Sequence, residues 1–435
     1  MEIPLPKLEK RLRERYEVLV QEHLAPQQRV AAGLRALPDT AESFAHTQAA
    51  WRFYANERTT LPALFAPLLE ATRQGVQAAC QRFVLQVHDW SLLHYTRHSS
   101  KKDRIPLMNR HDLGYELYAG LALSDQDGTP LGATGISLTG ADGVHSTRLL
   151  HPGRRPAKLD GAGHWLNHAQ TLNLGLPSVH IIDREADSVA HYRRWVKRGH
   201  LLLIRADLDR RVLHGGHSRL LVEVLAQLRQ QGAFARSREV LYHGKKARQF
   251  VAQTEVTLDR PAKRQHGRVS QKGPKVRFRL VVCEVRDKAG CVLAVWLLLT
   301  NLPDSVSAGE VALWYYWRWR IESAFKLLKA AGLHLEQWQQ ETALATAKRL
   351  LVGLQACVVV WRLERGTTPQ AGRLRRLLVR LSGRQMKHGV EYTTPALLAG
   401  LWSVIQTLAL LDQISPAELR QLLDSPWDLD EPQLE

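Results

Sequence analysis

The pattern of hydrophobic and polar positions predicts helical ends and a strand-rich middle. Residues 1 to about 80 carry apolar side chains at helical spacing, with an interruption at Pro38 and Asp39. From Arg82 onward, short β-branched and aromatic runs predict strands. These runs are RFVLQVHD (82–89), YELYAGLALSD (115–125) and LGATGISL (131–138), with the turn signal DQDGTP before the last.

The remaining pattern indicates an α/β protein with a mixed sheet flanked by helices. A helix at about His164–Leu174 precedes the strand SVHIID, and a further helix covers Ser188–Lys197. A long β-rich stretch follows, and then two helices at Ala308–Ala331 and Thr342–Glu364. The Leu-rich end of the chain is predicted to be helical.

Composition narrows the class of protein. The 435 residues are 45% hydrophobic, which excludes a disordered chain, a collagen and a small disulfide scaffold. Apolar stretches such as Leu350–Trp361 are shorter than the ~20 residues of a membrane span, and no signal peptide is recognisable at the N-terminus. The four cysteines form no CxxC pair, so we expect buried thiols rather than zinc sites or disulfides. We therefore expect a soluble cytoplasmic protein.

The net charge of +18 predicts a polyanionic partner, with nucleic acid favoured over a membrane surface. Residues 236–279 contain 13 Lys and Arg against three acids, a surplus of ten. The run KRQHGRVSQKGPKVRFR (263–279) is predicted to be a loop that contacts phosphates without reading bases; a solvated face is the alternative. A second basic run, 373–387, is predicted to place Arg375, Arg376 and Arg380 on a helix. Candidate DNA contacts within the basic stretch 236–279 are Lys245, Lys246, Lys263 and Arg264.

Three acids are candidates for a metal site. Asp89 and Asp183 are predicted to end two strands, and Glu322 lies in a basic and aromatic helix. Carboxylates suit Mg²⁺, which retains positions for water and phosphate. Two such ions ~3.5–4 Å apart can stabilise both oxygens of a phosphodiester displacement. The alternative is that these acids cap helices or face solvent, as Asp187 does if it is an N-cap.

The helix that contains Glu322 carries a polar stripe. Tyr315, Arg318, Glu322 and Lys329 fall within about 60° of one another at ~100° per residue, and Lys326 joins them. One interpretation is a carboxylate on a metal, flanked by cations on phosphates. The other is a solvated face with a Glu322–Lys326 pair. Helical geometry alone leaves both open.

These residues resemble a known family. The spacing Tyr315-x2-Arg318-x3-Glu322-x6-Lys329 resembles the YREK signature of the insertion-sequence-four family of DDE transposases, the Tn-five type. YREK alone would be weak, because four residues over fifteen positions recur by chance. Four further blocks, in order between about residues 40 and 365, also resemble this family: AAWRFYANERTTL, VHDWSLLHY, IIDREAD and WLLLTNLP.

The resemblance implies a site and a fold. Asp89, Asp183 and Glu322 would be the catalytic triad and would bind Mg²⁺ or Mn²⁺, as two ions. The fold would be α/β, with an RNase H-like catalytic core of the retroviral integrase superfamily, a β-rich insertion, and helical N-terminal and C-terminal regions. Trp90 departs from the family, which commonly has a small hydroxyl residue there. The implied DNA contacts are Tyr315, Arg318, Lys326, Lys329, Trp296 on a flipped base, and Arg205.

Five regions are expected on this basis. They are a helical DNA-binding region (1–80), the first part of the core (81–198), the β-rich insertion (199–305), the rest of the core with the YREK helix (306–366), and a helical C-terminal region as a candidate for dimerisation (367–435). The implied function is cut-and-paste DNA transposition through a hairpin intermediate, by a homodimer on double-stranded DNA, in the prokaryotic cytoplasm at the nucleoid. The alternatives are a non-catalytic or domesticated DNA-binding protein and a structure-specific nuclease without strand transfer.

Overall fold

The computed structural model describes residues 4–23, 40–259, 273–411 and 414–424, and it is a mixed α/β protein built on one large sheet. The predicted fold class is confirmed at this level. The strands are β1 (Val84–His94), β2 (Ile105–Pro106), β3 (Leu113–Ser124), β4 (Pro130–Gly140), β5 (Gly143–Ser146), β6 (Ser178–Ile182), β7 (Leu201–Arg205), β8 (Arg211–His214), β9 (His217–Leu220), β10 (Ala235–Tyr242), β11 (Lys245–Leu258), β12 (Val276–Arg286) and β13 (Val292–Thr300).

Helices cover both faces of the sheet and form the two ends of the described chain. They are α1 (Lys10–His23), α2 (Thr40–Ala55), α3 (Leu61–Ala79), α4 (Lys158–Thr171), α5 (Val189–Lys197), α6 (Leu221–Gln230), α7 (Ala308–Trp317), α8 (Arg320–Lys326), α9 (Ala343–Arg365), α10 (Pro369–Leu381), α11 (Thr394–Leu411) and α12 (Pro416–Asp424).

The sheet is continuous across the β-rich stretch. Its order is β5-β4-β3-β1-β6-β7-β13-β12-β11-β8-β9, with β2 beside β3 and β10 beside β11. β1 is antiparallel to β3 and parallel to β6, and β6 is parallel to β7. β13 then pairs antiparallel with β7. The strands of the proposed insertion therefore extend the central sheet at this edge, and the five predicted regions stay predictions.

β1 is longer than predicted. The sequence predicts that this strand ends at Asp89, but it continues to His94. Its parallel pairing with β6 stops at His88, opposite Ile182, whereas its antiparallel pairing with β3 continues to the end. Asp89 is therefore the first residue of β1 that pairs with β3 alone.

Two hydrophobic cores lie on opposite faces of the sheet, because side chains alternate along each strand. Val87 and Leu203 pack with Trp314 of α7 and with the buried helix α9. Leu202 and Ile204 pack on the other face with the side chains of α4, α5 and α6. α9 is the one described helix that is long and apolar enough to cross a membrane, but 89% of its most apolar window is buried inside the protein.

Helix α4 begins at Lys158, six residues before its predicted start. Two glycines in its first turns, Gly161 and Gly163, weaken the sequence signal. Packing explains one of them, since a Cβ on Gly163 would lie 3.0 Å from Nε1 of Trp195. Close packing against α5 therefore overrides the helix propensity.

The predicted helix over 308–331 is interrupted. α7 ends at Trp317, α8 begins at Arg320, and a π-helical turn covers Leu327–Ala331. The Arg318 amide donates to the carbonyl of Tyr315 rather than to the residue four positions back, which tightens the chain here. The stripe of polar residues is therefore divided between separate helical segments.

Strands contain part of the basic stretch 236–279. Lys245 and Lys246 begin β11, and β12 begins at Val276, so that Arg277 and Arg279 are strand residues. The prediction of a loop over 263–279 is wrong for its last four residues, Val276–Arg279, because β11 and β12 pair from Leu258–Val276 to Arg248–Arg286. Lys263 and Arg264 lie outside the described residues.

The cysteines are all free thiols, and one is not buried as expected. Cys283 and Cys357 are buried and Cys80 is half-buried, but Cys291 is exposed. Cys291 follows Gly290 in the turn between β12 and β13, where the backbone of Gly290 has a φ of +89°.

Candidate active site

Three carboxylates meet around one guanidinium. Nη2 of Arg318 lies 2.7 Å from Oε1 of Glu322 and 3.5 Å from Oδ2 of Asp183. Nη1 of Arg318 lies 3.4 Å from Oδ2 of Asp89. The Arg318 side chain is 8% exposed, while the three acids retain 22–34% exposure. The structure therefore places the three candidate acids together.

Each acid comes from a different element. Asp89 lies in β1, and its Oδ1 accepts a hydrogen bond from the amide of Trp90 over 2.8 Å. Asp183 directly follows β6, and its Oδ1 accepts from the amide of Arg184 over 2.7 Å, which starts a 3₁₀ turn. Glu322 lies in the first turn of α8. Because β1 and β6 are parallel neighbours, their acids reach the same end of the sheet.

Burial and the neighbouring charges shift the pKa values of Asp89 and Arg318. The pKa of Asp89 is raised to about 6, chiefly by burial; the Trp90 amide and Arg318 act to lower it, and the charges of Glu322 and Glu185 act to raise it. For Arg318, burial acts to lower the pKa, but Tyr315, Asp183, Glu322 and Asp89 hold it above the ordinary value. The pocket thus favours a positive charge at its centre.

Tyr315 also faces this pocket. Its hydroxyl donates a hydrogen bond to Oδ1 of Asp183 over 3.1 Å, and burial together with Asp183 raises its pKa. The ring of Trp296 lies 5.5 Å from that of Tyr315 and 6.5 Å from that of Tyr316. Trp296 is half-buried and forms a wall beside the acids.

The predicted basic residues separate into two groups. Arg205 ends β7, and its Nη1 lies 3.8 Å from Oδ1 of Asp183, so it borders the pocket. Lys329 instead donates to the carbonyl of Leu92 and lies 3.4 Å from Oε1 of Glu336. Lys326 is exposed, and among the ion pairs of the described residues the partner of Glu322 is Arg318 rather than Lys326.

Sequence reasoning missed one aromatic residue at this site. Trp319 lies in the break between α7 and α8, and it is 59% exposed. The Arg318 guanidinium lies 5.9 Å from its ring centroid. The run WRWR, with aromatic and basic residues alternating, is the signal that singles out this position, because exposed aromatic rings among cations suit nucleic-acid binding.

The three acids offer the type of donor that a divalent cation takes, although their oxygens do not all lie within 4.8 Å of one another. Asp89, Asp183 and Glu322 supply oxygen ligands, which Mg²⁺ and Mn²⁺ prefer. The oxygens are spaced around the Arg318 guanidinium, which supplies the positive charge that a metal ion would supply. The Arg318 guanidinium therefore occupies the position between the three acids.

A second acidic group lies elsewhere. Within the described ranges, Asp103, Asp142 and His145 are the group of three whose ligand atoms lie within 4.8 Å of one another. These side chains already have partners: Asp103 accepts from the Tyr115 hydroxyl and the Ala343 amide, and His145 contacts Asp142 at 2.9 Å. The group fastens the start of α9 to the sheet.

Comparisons with known proteins yield a likeness at the level of solved structures. No protein-family model and no curated protein matches this chain. The chain is similar to the cryo-EM structure of a piggyBac transposase synaptic complex with hairpin DNA, at 10% sequence identity and a TM-score of 0.37. The match covers 95% of this chain and 72% of that one.

Proposed function

We propose that this protein is a DDE transposase with an RNase H-like core. The observation that carries the proposal is the convergence of Asp89, Asp183 and Glu322 on one end of the sheet, around Arg318. The resemblance to the insertion-sequence-four family named the same three acids from the sequence, Glu322 through YREK and the two aspartates through VHDWSLLHY and IIDREAD. The β-rich strands between Asp183 and Glu322 also agree with the insertion that this family would have.

The proposed chemistry is phosphodiester cleavage and strand transfer. Asp89, Asp183 and Glu322 would hold Mg²⁺ or Mn²⁺, as two ions, which when bound would activate water and stabilise charge on the phosphate oxygens. Arg318 would turn from the acids to a phosphate, since a guanidinium forms paired hydrogen bonds with either group. Tyr315 would keep Asp183 oriented through its hydroxyl.

The surroundings of the acids suit DNA. Arg205 and Arg318 are cations at the pocket, and Trp296 and the exposed Trp319 offer aromatic rings on which bases can stack. The β10–β11 hairpin presents Lys245 and Lys246, and the Tyr316 hydroxyl ties this hairpin to α7 through the carbonyl of Leu241, over 2.7 Å. We place the phosphates of a transposon end along this surface.

The finer steps of the proposal follow from the family resemblance. Cleavage at a transposon end would free a 3′-OH, which would attack the opposite strand to give a hairpin, with Trp296 stacking on a flipped base. A second hydrolysis would open the hairpin, and the 3′-OH would then join target DNA. The protein would work as a homodimer assembled on DNA in the prokaryotic cytoplasm.

The test is an excision assay with purified protein, Mg²⁺ and a plasmid that carries the gene with its native flanking DNA. Wild type should release the element, and Asp183→Asn and Glu322→Gln should not. Glu70→Gln, at an exposed acid of α3, is the matched control and should cut like wild type. DNA binding without cleavage would overturn the enzymatic proposal, and nicking without strand transfer would identify a nuclease instead.

A further inference from the structure

A cavity of about 270 Å³ lies on the face of β1 opposite the acids. Asp89 and Trp90 are adjacent in β1, so their side chains point to opposite faces of the sheet. Trp90 packs with the α4 side of the protein and lines the cavity. The cavity is close to the lower end of the ~300–1,000 Å³ range of small-molecule sites, which suits one nucleotide rather than a larger ligand.

The walls of this cavity are aromatic. The rings of Tyr118 and Trp165 stack with centroids 4.3 Å apart at 12°, and both residues are buried. Trp90 is only half-buried, and its ring lies 5.3 Å from that of Tyr118, tilted by 58°. Trp90 is therefore the ring that a planar ligand can reach.

The cavity is also rich in cations that lack a carboxylate. The Arg148 guanidinium lies 4.7 Å from the centroid of the Trp165 ring, and its buried Nε has no hydrogen-bond partner. Arg154 is exposed, and in the described part of the chain neither Arg148 nor Arg154 has an acid within 4.0 Å. Arg155, by contrast, is paired with Glu116 at 2.6 Å. Buried donors without partners are costly, so the cavity favours an anionic acceptor.

We propose that this cavity binds one unpaired nucleotide of a DNA strand, with its base on Trp90 and its phosphate on Arg148 and Arg154. An aromatic ring beside unpaired guanidinium groups matches the two chemical parts of a nucleotide. The inference rests on the proposed function, because it assigns the strand to DNA held at the acids.

The structure offers a route between the two sites. β6 ends at Ile182, and among the described residues no strand pairs with β1 on that side from Asp89 onward. The Lys158 ammonium lies at this crossing: it pairs with Glu185 and lies 5.1 Å from the centroid of the Trp90 ring. The charge of Glu185 in turn contributes to the raised pKa of Asp89. A DNA strand that passes the end of β6 can therefore reach from the acids to the cavity.

The test measures DNA binding without cleavage, in EDTA. The probes are two matched duplexes, one fully paired and one with a single unpaired 2-aminopurine. Wild type should bind the unpaired probe more tightly and change its fluorescence. Trp90→Ala and the double variant Arg148→Gln/Arg154→Gln should lower this preference roughly tenfold, the size expected for loss of one stacked base. Arg198→Gln, at an exposed arginine that directly follows α5, should retain the preference.

Further variants separate loss of the site from loss of the fold. Trp90→Phe keeps an aromatic ring and should restore most of the preference. Each variant should have a melting temperature close to that of wild type and should still bind the fully paired duplex. An unchanged preference in both Trp90→Ala and the double arginine variant would overturn the inference. Displacement of the probe by free deoxynucleoside monophosphate would instead assign the cavity to a free nucleotide and would overturn the DNA-strand assignment.

The outcome is independent of the excision assay. If Asp183→Asn is inactive in excision but Trp90→Ala and Arg148→Gln/Arg154→Gln leave the preference for the unpaired probe unchanged, the cavity inference fails and the proposed transposase stands. If wild type never cleaves DNA but Trp90→Ala abolishes the preference, the cavity still binds a nucleotide and the enzymatic proposal fails.

Discussion

Arg318 donates a hydrogen bond to Oε1 of Glu322 over 2.7 Å, at the break between α7 and α8. The same guanidinium lies within 3.5 Å of Asp89 and Asp183. One nearly buried cation therefore balances three carboxylates that would otherwise repel one another. A divalent ion that binds these carboxylates must compete with this guanidinium, and the competition can be measured without DNA.

Replacing Arg318 should separate metal binding from stability. We expect Arg318→Gln to lower the free energy of unfolding in EDTA by about 1–3 kcal/mol, because hydrogen bonds to charged groups are lost. Mg²⁺ should then raise the melting temperature of the variant more than that of wild type, since no guanidinium competes for the acids. Calorimetric scans with and without Mg²⁺ would show this. Arg320→Gln, at an exposed arginine, is the control, and equal Mg²⁺ shifts in all three proteins would contradict the competition.

The raised pKa of Asp89 predicts a pH-dependent stability. Burial raises this pKa from 3.8 to about 6, so the folded state holds a proton that the unfolded state has lost. The resulting stabilisation is complete below about pH 4 and is lost as the pH rises through about 6. In EDTA, wild type should lose about 2–3 kcal/mol of unfolding free energy over this range relative to Asp89→Asn. Urea unfolding at several pH values tests this; a difference between the two proteins that stays constant with pH would refute it.

The positions of the acids could be predicted from local pattern, but their common partner could not. Apolar runs that end near Asp89 and Asp183 mark strands whose ends meet, because such runs are buried in a sheet. The contact of Arg318 with both acids joins residues more than 130 positions apart and depends on the break at 318–319. A regular helix, which the sequence predicts, gives no sign of that break.

The two charge runs predicted structure unequally: Arg375, Arg376 and Arg380 lie on a helix as predicted, whereas part of the run 263–279 is not the predicted loop. Gly, Pro and Ser between the cations of 263–279 favour a loop, but β12 begins within this run at Val276. Strand pairing explains the difference, since Arg277 and Arg279 lie opposite Thr257 and Glu255 of β11. Cross-strand contacts of this kind depend on residues distant in the sequence, so composition alone does not report them.

The β10–β11 hairpin should contribute to DNA binding through charge alone. Lys245 and Lys246 are both exposed at its turn. We expect Lys245→Gln/Lys246→Gln to weaken binding equally for all DNA sequences and to reduce the slope of log affinity against log salt by roughly 2, or ~0.9 for each phosphate contact. Titrations at several salt concentrations measure the slope. Lys197→Gln/Arg198→Gln, two exposed cations at the end of α5, should leave it unchanged, and a wild-type slope in the hairpin variant would remove these lysines from the interface.

Two neighbouring arginines of α10 should differ in their effect on stability. Arg375 donates through Nη1 to the carbonyls of Leu363, over 3.1 Å, and Gly366, and its guanidinium lies 5.3 Å from the centroid of the Tyr392 ring. It thereby satisfies carbonyls at the end of α9, whereas Arg376 is exposed.

Arg375→Gln should therefore lower the free energy of unfolding by about 1–2 kcal/mol, through lost hydrogen bonds and ring contact. Arg376→Gln should change it by less than about 0.5 kcal/mol, as is usual at exposed positions. Urea unfolding gives both values. If the Arg376 variant instead weakens DNA binding while keeping wild-type stability, α10 contacts phosphate. Equal destabilisation by the two variants would show that Arg375 does not hold the end of α9, because these contacts are what distinguish the half-buried Arg375 from the exposed Arg376.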